Sequence, residues 1–262
     1  MRLYMKVLGS GSIVPTRQRF CSSIYLRGAS QELLLDIGPG TIQKMVRYGL
    51  DPHSISGVLI SHYHVDHVAE LLPLIKMWAY DRDGRPARSQ RGLVIIGPKG
   101  LRELVRSLID GSRYFGYLDS TMNYKKYTSL VEVSGDEAIE LGDVRVKAVG
   151  VRHYDGVAYR LTFPGRSLAY SGDTVVDEGM IKLAEGVDVL IHECSFPSGS
   201  SVGLHTDDEG LSLVVERVRP KLLVVTHLYP AWEGREVSLA SKILERHRCR
   251  VVIASDGLTI RF

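Results

Sequence analysis

Asparagine is almost absent from this chain of 262 residues: Asn123 stands alone. Glutamine is scarce too, while arginine is plentiful. Few thermolabile amides beside many charged groups fit a heat-adapted source. The cysteines are sparse and unpaired in pattern. Cys21, Cys194 and Cys249 are an odd set without a Cys-x-x-Cys pair. That argues against a disulfide framework and points to a reducing, cytoplasmic setting. No apolar run approaches the roughly 20 residues that span a bilayer, so no membrane partner is expected. The opening segment, Met1 to Val7, is charged and runs straight into a strand, so no secretory signal is expected. No short-period repeat is visible. Gly9-Ser10-Gly11-Ser12 has the look of a phosphate cradle, yet no Gly-Lys-Ser/Thr follows and no dinucleotide fingerprint completes it, so a tight turn is expected there.

Hydrophobic residues make up 44% of the chain, which is ample for a folded core. The length fits one large domain over residues 1–262. A net charge of +3 and a pI near 8.7 permit an anionic substrate without demanding one.

The densest chemistry lies in His62-Tyr63-His64-Val65-Asp66-His67, directly after the apolar run Val58-Leu59-Ile60. A buried strand fixes such a loop, and the loop can aim imidazoles and a carboxylate at one point. His62 and His64 alternate on an extended segment and so share a side. Asp66 and His67 fall where the chain turns into a helix expected over 68–80. Imidazole and carboxylate ligands suit zinc, with manganese, iron or cobalt as alternatives. Only nine histidines occur in the whole chain, so three within six positions argue against chance.

The rest reads as strands first, then strands alternating with helices. Ser23–Leu26 and Leu33–Asp36 form a hairpin around Gly28-Ala29-Ser30, and a helix over 41–48 follows. The loop 81–91 is polar and Arg-rich. From 110 to 128 the chain holds four tyrosines and a phenylalanine without a clean period. Those rings cover a core in the commoner use, or roof a site and stack on bases in the rarer one. Val144, Val146, Ala148 and Gly150 alternate on one face. A second hairpin joins 158–163 to 167–171. His153, Asp173, His192 and His227 each close an apolar strand, and polar groups at strand ends along one sheet edge converge on a shared cleft. The pattern fits two face-to-face sheets with helices outside, a four-layer αββα sandwich.

These motifs together resemble the metallo-β-lactamase superfamily, and within it the ribonuclease Z branch. The resemblance runs over nearly the whole chain. It is carried by Leu8-Gly9-Ser10-Gly11, Pro15-Thr16, Arg19, Ser22-Ser23, Leu35-Asp36-Ile37-Gly38 and the His-x-His-x-Asp-His loop. It continues through His153, Gly172-Asp173-Thr174, His192-Glu193-Cys194-Ser195, His205 and Thr226-His227. The resemblance implies two zinc ions per chain, with Mn2+ or Fe2+ as alternatives. One would be held by His62, His64 and His153, the other by Asp66, His67 and His227, with Asp173 between them. It implies a metal-bound hydroxide as nucleophile, oriented by Asp66, with His205 as the acid and Glu193 orienting it. It also implies an anionic phosphodiester substrate, RNA among the candidates, and a homodimer. His192 is read as structural, Asp36 and Asp256 as loop holders, His53 and His247 as exposed.

Two features depart from that branch. The interval between His153 and Asp173 is too short for the long arm that grips transfer RNA. After His227 stands Leu228-Tyr229-Pro230-Ala231-Trp232 where a Ser and an Arg are usual. A hydrolase of a small ester, cyclic nucleotide phosphodiesterase or arylsulfatase-like, therefore stays open. So does a metal-binding scaffold without turnover.

Overall fold

The computed structural model describes residues 3–87, 92–135, 138–200 and 202–262. The first half carries β1 (Tyr4–Gly9), β2 (Ser23–Arg27), β3 (Glu32–Leu35), α1 (Thr41–Arg47), β4 (Gly57–Leu59), α2 (Val65–Val68), α3 (Leu71–Met77), β5 (Leu93–Pro98), α4 (Leu101–Ile109), α5 (Tyr117–Ser120) and β6 (Thr128–Val133). The second half carries β7 (Ala138–Leu141), β8 (Val144–Gly150), β9 (Val157–Phe163), β10 (Arg166–Tyr170), α6 (Glu178–Ala184), β11 (Val189–Glu193), α7 (Asp208–Val218), β12 (Leu222–Thr226), α8 (Glu236–Arg246), β13 (Arg250–Ile253) and β14 (Thr259–Arg261).

The strands form two seven-stranded sheets, β14-β1-β2-β3-β4-β5-β6 and β13-β12-β11-β10-β9-β8-β7. The period-two rule decides which side chain meets which layer. Leu33 and Leu35 of β3 point into the core between the sheets, and Leu34 points out under the helices. In β12, Leu222 and Val224 point inward, whereas Leu223 and Val225 meet α7 and α8. Strands buried on both faces read as continuous apolar runs, as parallel sheets require. The layers are therefore helix, sheet, sheet, helix, the αββα sandwich expected from the sequence.

Strands β3, β4 and β5 run parallel, as do β10, β11 and β12. Their carboxyl ends deliver the loops after residues 59, 170, 193 and 226 to one rim, the usual ligand position in such sheets.

The helix expected over 68–80 departs from that range. Asp66 and His67 already lie in α2, and the chain breaks at Ala69–Glu70 before α3. The Glu70 carboxylate explains the break. It accepts from Gly40 N at 2.6 Å and Ile42 N at 2.8 Å, capping the open N–H groups of α1. Of the 110–128 aromatics, Tyr124 and Tyr127 pack with Leu118 into the core under β4 and β5. Tyr114, Phe115 and Tyr117 are exposed. His53 and His247 are half-buried rather than exposed. The Arg-rich loop lies partly, at 88–91, outside the described residues.

Candidate metal centre

The rim brings together the residues picked out by strand-end position. His62, His64, His153 and Asp173 form one group of converging ligand atoms, and Asp66, His67 and His227 a second; Asp173 and His227 also group with His205. Asp173 Oδ2 is the hub. It lies 3.3 Å from His67 Nε2 and from His227 Nε2, 3.6 Å from His62 Nε2 and 3.9 Å from His153 Nε2. Asp66 Oδ2 stands 3.4 Å from His227 Nε2 and 3.7 Å from His67 Nε2. Asp173, His62, His67, His153 and His227 are all buried.

The hydrogen bonds on the far side of each ring fix its tautomer. His67 Nδ1 donates to Asp36 Oδ2 at 2.7 Å and His153 Nδ1 to the Leu204 carbonyl at 2.9 Å. Ser61 Oγ donates to Asp36 Oδ2 and so accepts from His62 Nδ1 at 3.0 Å. Ser195 Oγ donates to Glu193 Oε2 and accepts from His227 Nδ1 at 3.0 Å. Each ring then turns an Nε2 lone pair toward Asp173. Lone pairs facing a carboxylate, and His67 Nε2 facing His227 Nε2 at 3.2 Å, repel unless a cation stands between them. Among the described residues, His62 Nε2 and Asp173 Oδ1 are buried without a hydrogen-bond partner. Unsatisfied buried ligand atoms are costly, and a divalent metal completes all of them at once. The residues fit a divalent metal site.

Asp173 calls for positive charge beside it. Burial pushes the Asp173 carboxyl up, but His227 and His67 outweigh it and hold it well below the usual range, while Asp173 and Asp36 outweigh burial and lift His67 well above its own; a divalent cation would supply that positive charge in place of the His67 proton. Burial pushes His62 far down, and its neighbour His67 adds to that, which keeps the ring neutral and ligand-competent.

Beside the cluster lies a dyad. Glu193, the last residue of β11, is fully buried and accepts from Thr174 N at 2.7 Å, Ser195 N at 3.2 Å and His205 Nδ1 at 3.0 Å. Burial pushes His205 down, but the Glu193 carboxylate outweighs it and raises the ring above the ordinary histidine value. A cleft of ≈ 410 Å3 opens over the cluster, lined by Tyr63, His64, Asp66, Asp173, His205 and Tyr229 among others.

Four functional contributors escape a linear reading. Ser195 joins the Glu193–His205 dyad to His227 through one hydroxyl, with His205 Nδ1 at 3.1 Å. Asp36 holds a loop, as expected, by accepting from Ser61 N at 2.7 Å, yet it also orients His67. Tyr170 is buried and donates to the same Asp36 at 2.6 Å. The Leu204 carbonyl orients His153. Asp36 at φ 58° and His227 at φ 56° are non-glycine residues in the left-handed region, a conformation that marks functional turns. His192 is buried with Nδ1 donating to the Glu193 carbonyl, a structural role. The Gly/Ser turn cradles an internal anion: Ser10 N and Phe20 N donate to the Asp256 carboxylate, which Lys44 also binds at 2.5 Å.

An αββα sandwich with a histidine and aspartate cluster at the rim of its two sheets defines a metal-dependent hydrolase of the metallo-β-lactamase superfamily. Residues 1–247 match the family described as "Anti-Pycsar protein Apyc1", and the chain belongs to that family. The motifs that carry the resemblance to ribonuclease Z do not by themselves single out this group. The chain is similar to a ribonuclease Z of Mycobacterium marinum, at 28% identity over 243 residues covering 86% of each chain. It is similar to a ribonuclease Z of Mycobacterium bovis BCG, at 30% identity over 200 residues covering 72% of this chain and 69% of that one. Among solved structures, the metallo-beta-lactamase fold protein YhfI from Bacillus subtilis superposes with a TM-score of 0.80 at 20% identity, over 100% of this chain and 99% of the other. Among the described residues no helix is long and apolar enough to cross a membrane.

Proposed function

We propose that this chain is a dinuclear phosphodiesterase of the ribonuclease Z type. The observation that carries the reading is the pairing of a metal-ready ligand cluster with the Glu193–His205 dyad across one cleft. Cations in such a cluster lower the pKa of a water and clamp phosphoryl oxygens. His62, His64 and His153 would hold one ion, and Asp66, His67 and His227 the other, with Asp173 shared. Zinc is the proposed ion, because borderline imidazole and carboxylate donors suit it. Asp66 accepts a hydrogen bond from the attacking water and orients it. His205, its Nδ1 engaged by Glu193, keeps Nε2 for the leaving oxygen, and the Glu193 carboxylate favours the protonated ring. Residues 1–262 would act as one domain, cytoplasmic and homodimeric. The cysteine pattern supports the first attribute, and the resemblance to ribonuclease Z supports the second.

The substrate has two candidates. Relatives named ribonuclease Z support a transfer-RNA 3′ end. A specific observation favours a small phosphodiester such as a cyclic nucleotide: between His153 and Asp173 the chain holds only a tight turn and the β9–β10 hairpin. No RNA-gripping arm occurs in that interval. The test is hydrolysis of bis-p-nitrophenyl phosphate by metal-loaded protein, abolished in His64→Ala. Absence of turnover with every divalent metal tried would overturn the reading. Precursor transfer RNA and a 3′,5′-cyclic nucleotide, assayed side by side, choose between the two substrates.

A further inference from the structure

We propose that Tyr154 is a stacking platform for an aromatic ring of the substrate, a nucleobase, held against the phosphodiester site. The inference rests on the phosphodiesterase reading above and adds the part of the substrate that the metal cluster does not touch.

Tyr154 follows His153 directly and stands 68% exposed. An aromatic that served packing alone would bury most of its ring. Its backbone has φ 23°, and Asp155 after it has φ 58°. Side-chain-bearing residues rarely adopt such values, and two in succession require a strong local constraint. That constraint is visible. Gly156 N donates to the His153 carbonyl at 2.5 Å, and a Cβ on Gly156 would sit 2.7 Å from that same oxygen. The turn is thus closed by a glycine that admits no side chain, and its effect is to push the Tyr154 ring outward.

The ring comes to rest against two imidazoles of the metal cluster. Its centroid is 5.1 Å from that of His64 and 5.2 Å from that of His153. The residues around it line two adjacent cavities. His64 lines the metal cleft, and Asp155 and Gly156 line a neighbouring groove of ≈ 1180 Å3. Tyr63 lines both. The groove has room for a nucleoside. Its walls carry Arg106 and Lys99 beside Glu103 and Asp155, donors and acceptors in balance, which suits base edges better than a chain of phosphates. A phosphodiester seated on the metal cluster would carry its nucleoside across Tyr154 toward this groove. Stacking tolerates any base, because every base has a π-face.

The test uses the metal-loaded full chain and two probes that differ only in the base: adenosine 5′-monophosphate and ribose 5-phosphate. Titration calorimetry measures both dissociation constants. The wild type is expected to prefer the nucleotide by about 5- to 150-fold. Tyr154→Ala should bring the ratio of the two constants close to one, and Tyr154→Phe should keep it. Metal content by mass spectrometry is measured on every variant. A wild-type ratio near one, or a ratio unchanged in Tyr154→Ala, overturns the proposal. Loss of bound metal in Tyr154→Ala also overturns it, because the ring would then be a support for His64 and His153. Dissociation of a dimer in Tyr154→Ala, read by light scattering, would assign the ring to a second copy of this chain instead. A preserved preference without any bis-p-nitrophenyl phosphate turnover sinks the hydrolase reading and leaves this one standing.

Discussion

Replacing Glu193 by glutamine removes one charge and almost no volume, so it isolates what the carboxylate does for His205. Glu193 is fully buried, and the cationic group in hydrogen-bond contact with it is the ring of His205, with Nδ1 3.0 Å from Oε1. A buried carboxylate holds a proton on such a partner. Burial alone would push His205 down; the carboxylate reverses the sign and lifts it above 6.5. In Glu193→Gln the larger part of that lift is gone, and the weaker pull of the Asp173 carboxylate remains. The acid must be protonated to act, so activity falls as pH rises through its pKa. The falling limb of the pH–rate profile should therefore move to lower pH in the variant. The ring then holds its proton less readily at neutral pH, and a general acid contributes about 10² to 10⁴ in rate. The expected loss is about 10²-fold for a ribose or alkyl leaving group. For bis-p-nitrophenyl phosphate, whose leaving group departs without a proton, it should be less than about fivefold.

The control is stability. Thr174 N and Ser195 N both donate to Glu193, and a glutamine can leave one of them facing its own amide N–H. An unsatisfied buried donor costs about 1–3 kcal/mol, or about 2–10 °C in Tm for a chain of this size. Activity is compared below both melting temperatures. Equal losses with the two leaving groups, or a falling limb that stays in place, would refute the assignment of His205 as the acid and of Glu193 as its support.

Three further outcomes test the metal site and its frame. Chelation with EDTA should lower Tm, because an ion at about 1,000 times its Kd stabilises by about 4 kcal/mol; an unchanged Tm would mean that the buried lone pairs around Asp173 have another counterpart. Asp36→Asn should weaken metal binding by about 10- to 100-fold, since the carboxylate that fixes the His67 tautomer becomes an amide; metal content equal to wild type after dialysis would refute it. Gly172→Ala places a Cβ 2.7 Å from Ser61 Cβ at φ 58°, whereas Gly150→Ala meets nothing within 4 Å. Left-handed backbone alone costs about 1–2 kcal/mol; equal melting temperatures for the two variants would show that the Gly172 turn is not needed to aim Asp173.

The chemistry of this site was legible because strand ends announce themselves. Val58-Leu59-Ile60 before His62, and Leu222 to Thr226 before His227, are apolar runs that stop at a polar group, and a run buried on both faces has nowhere else to put that group than the sheet rim. What stayed hidden depends on contacts between distant segments. Ser195 looks like any loop serine until the fold sets its hydroxyl 3.0 Å from His227, 32 positions along the chain. Tyr170 reads as one more strand aromatic until its hydroxyl reaches Asp36, 134 positions away. The helix break at Glu70 was hidden for the same reason: its carboxylate is committed to a different helix. A linear pattern reports burial, and burial selects which residues can become ligands. Tautomer and orientation are set by the groups behind each ring, and those come from other layers of the sandwich. Asp36 makes the point most sharply. It was readable as the holder of a loop, and it is one, but the oxygen that takes the Ser61 hydroxyl also takes His67 Nδ1 and the Tyr170 hydroxyl. One carboxylate therefore fixes the loop, the ring and the strand behind them, so the metal site cannot shift without shifting the interface between the two sheets.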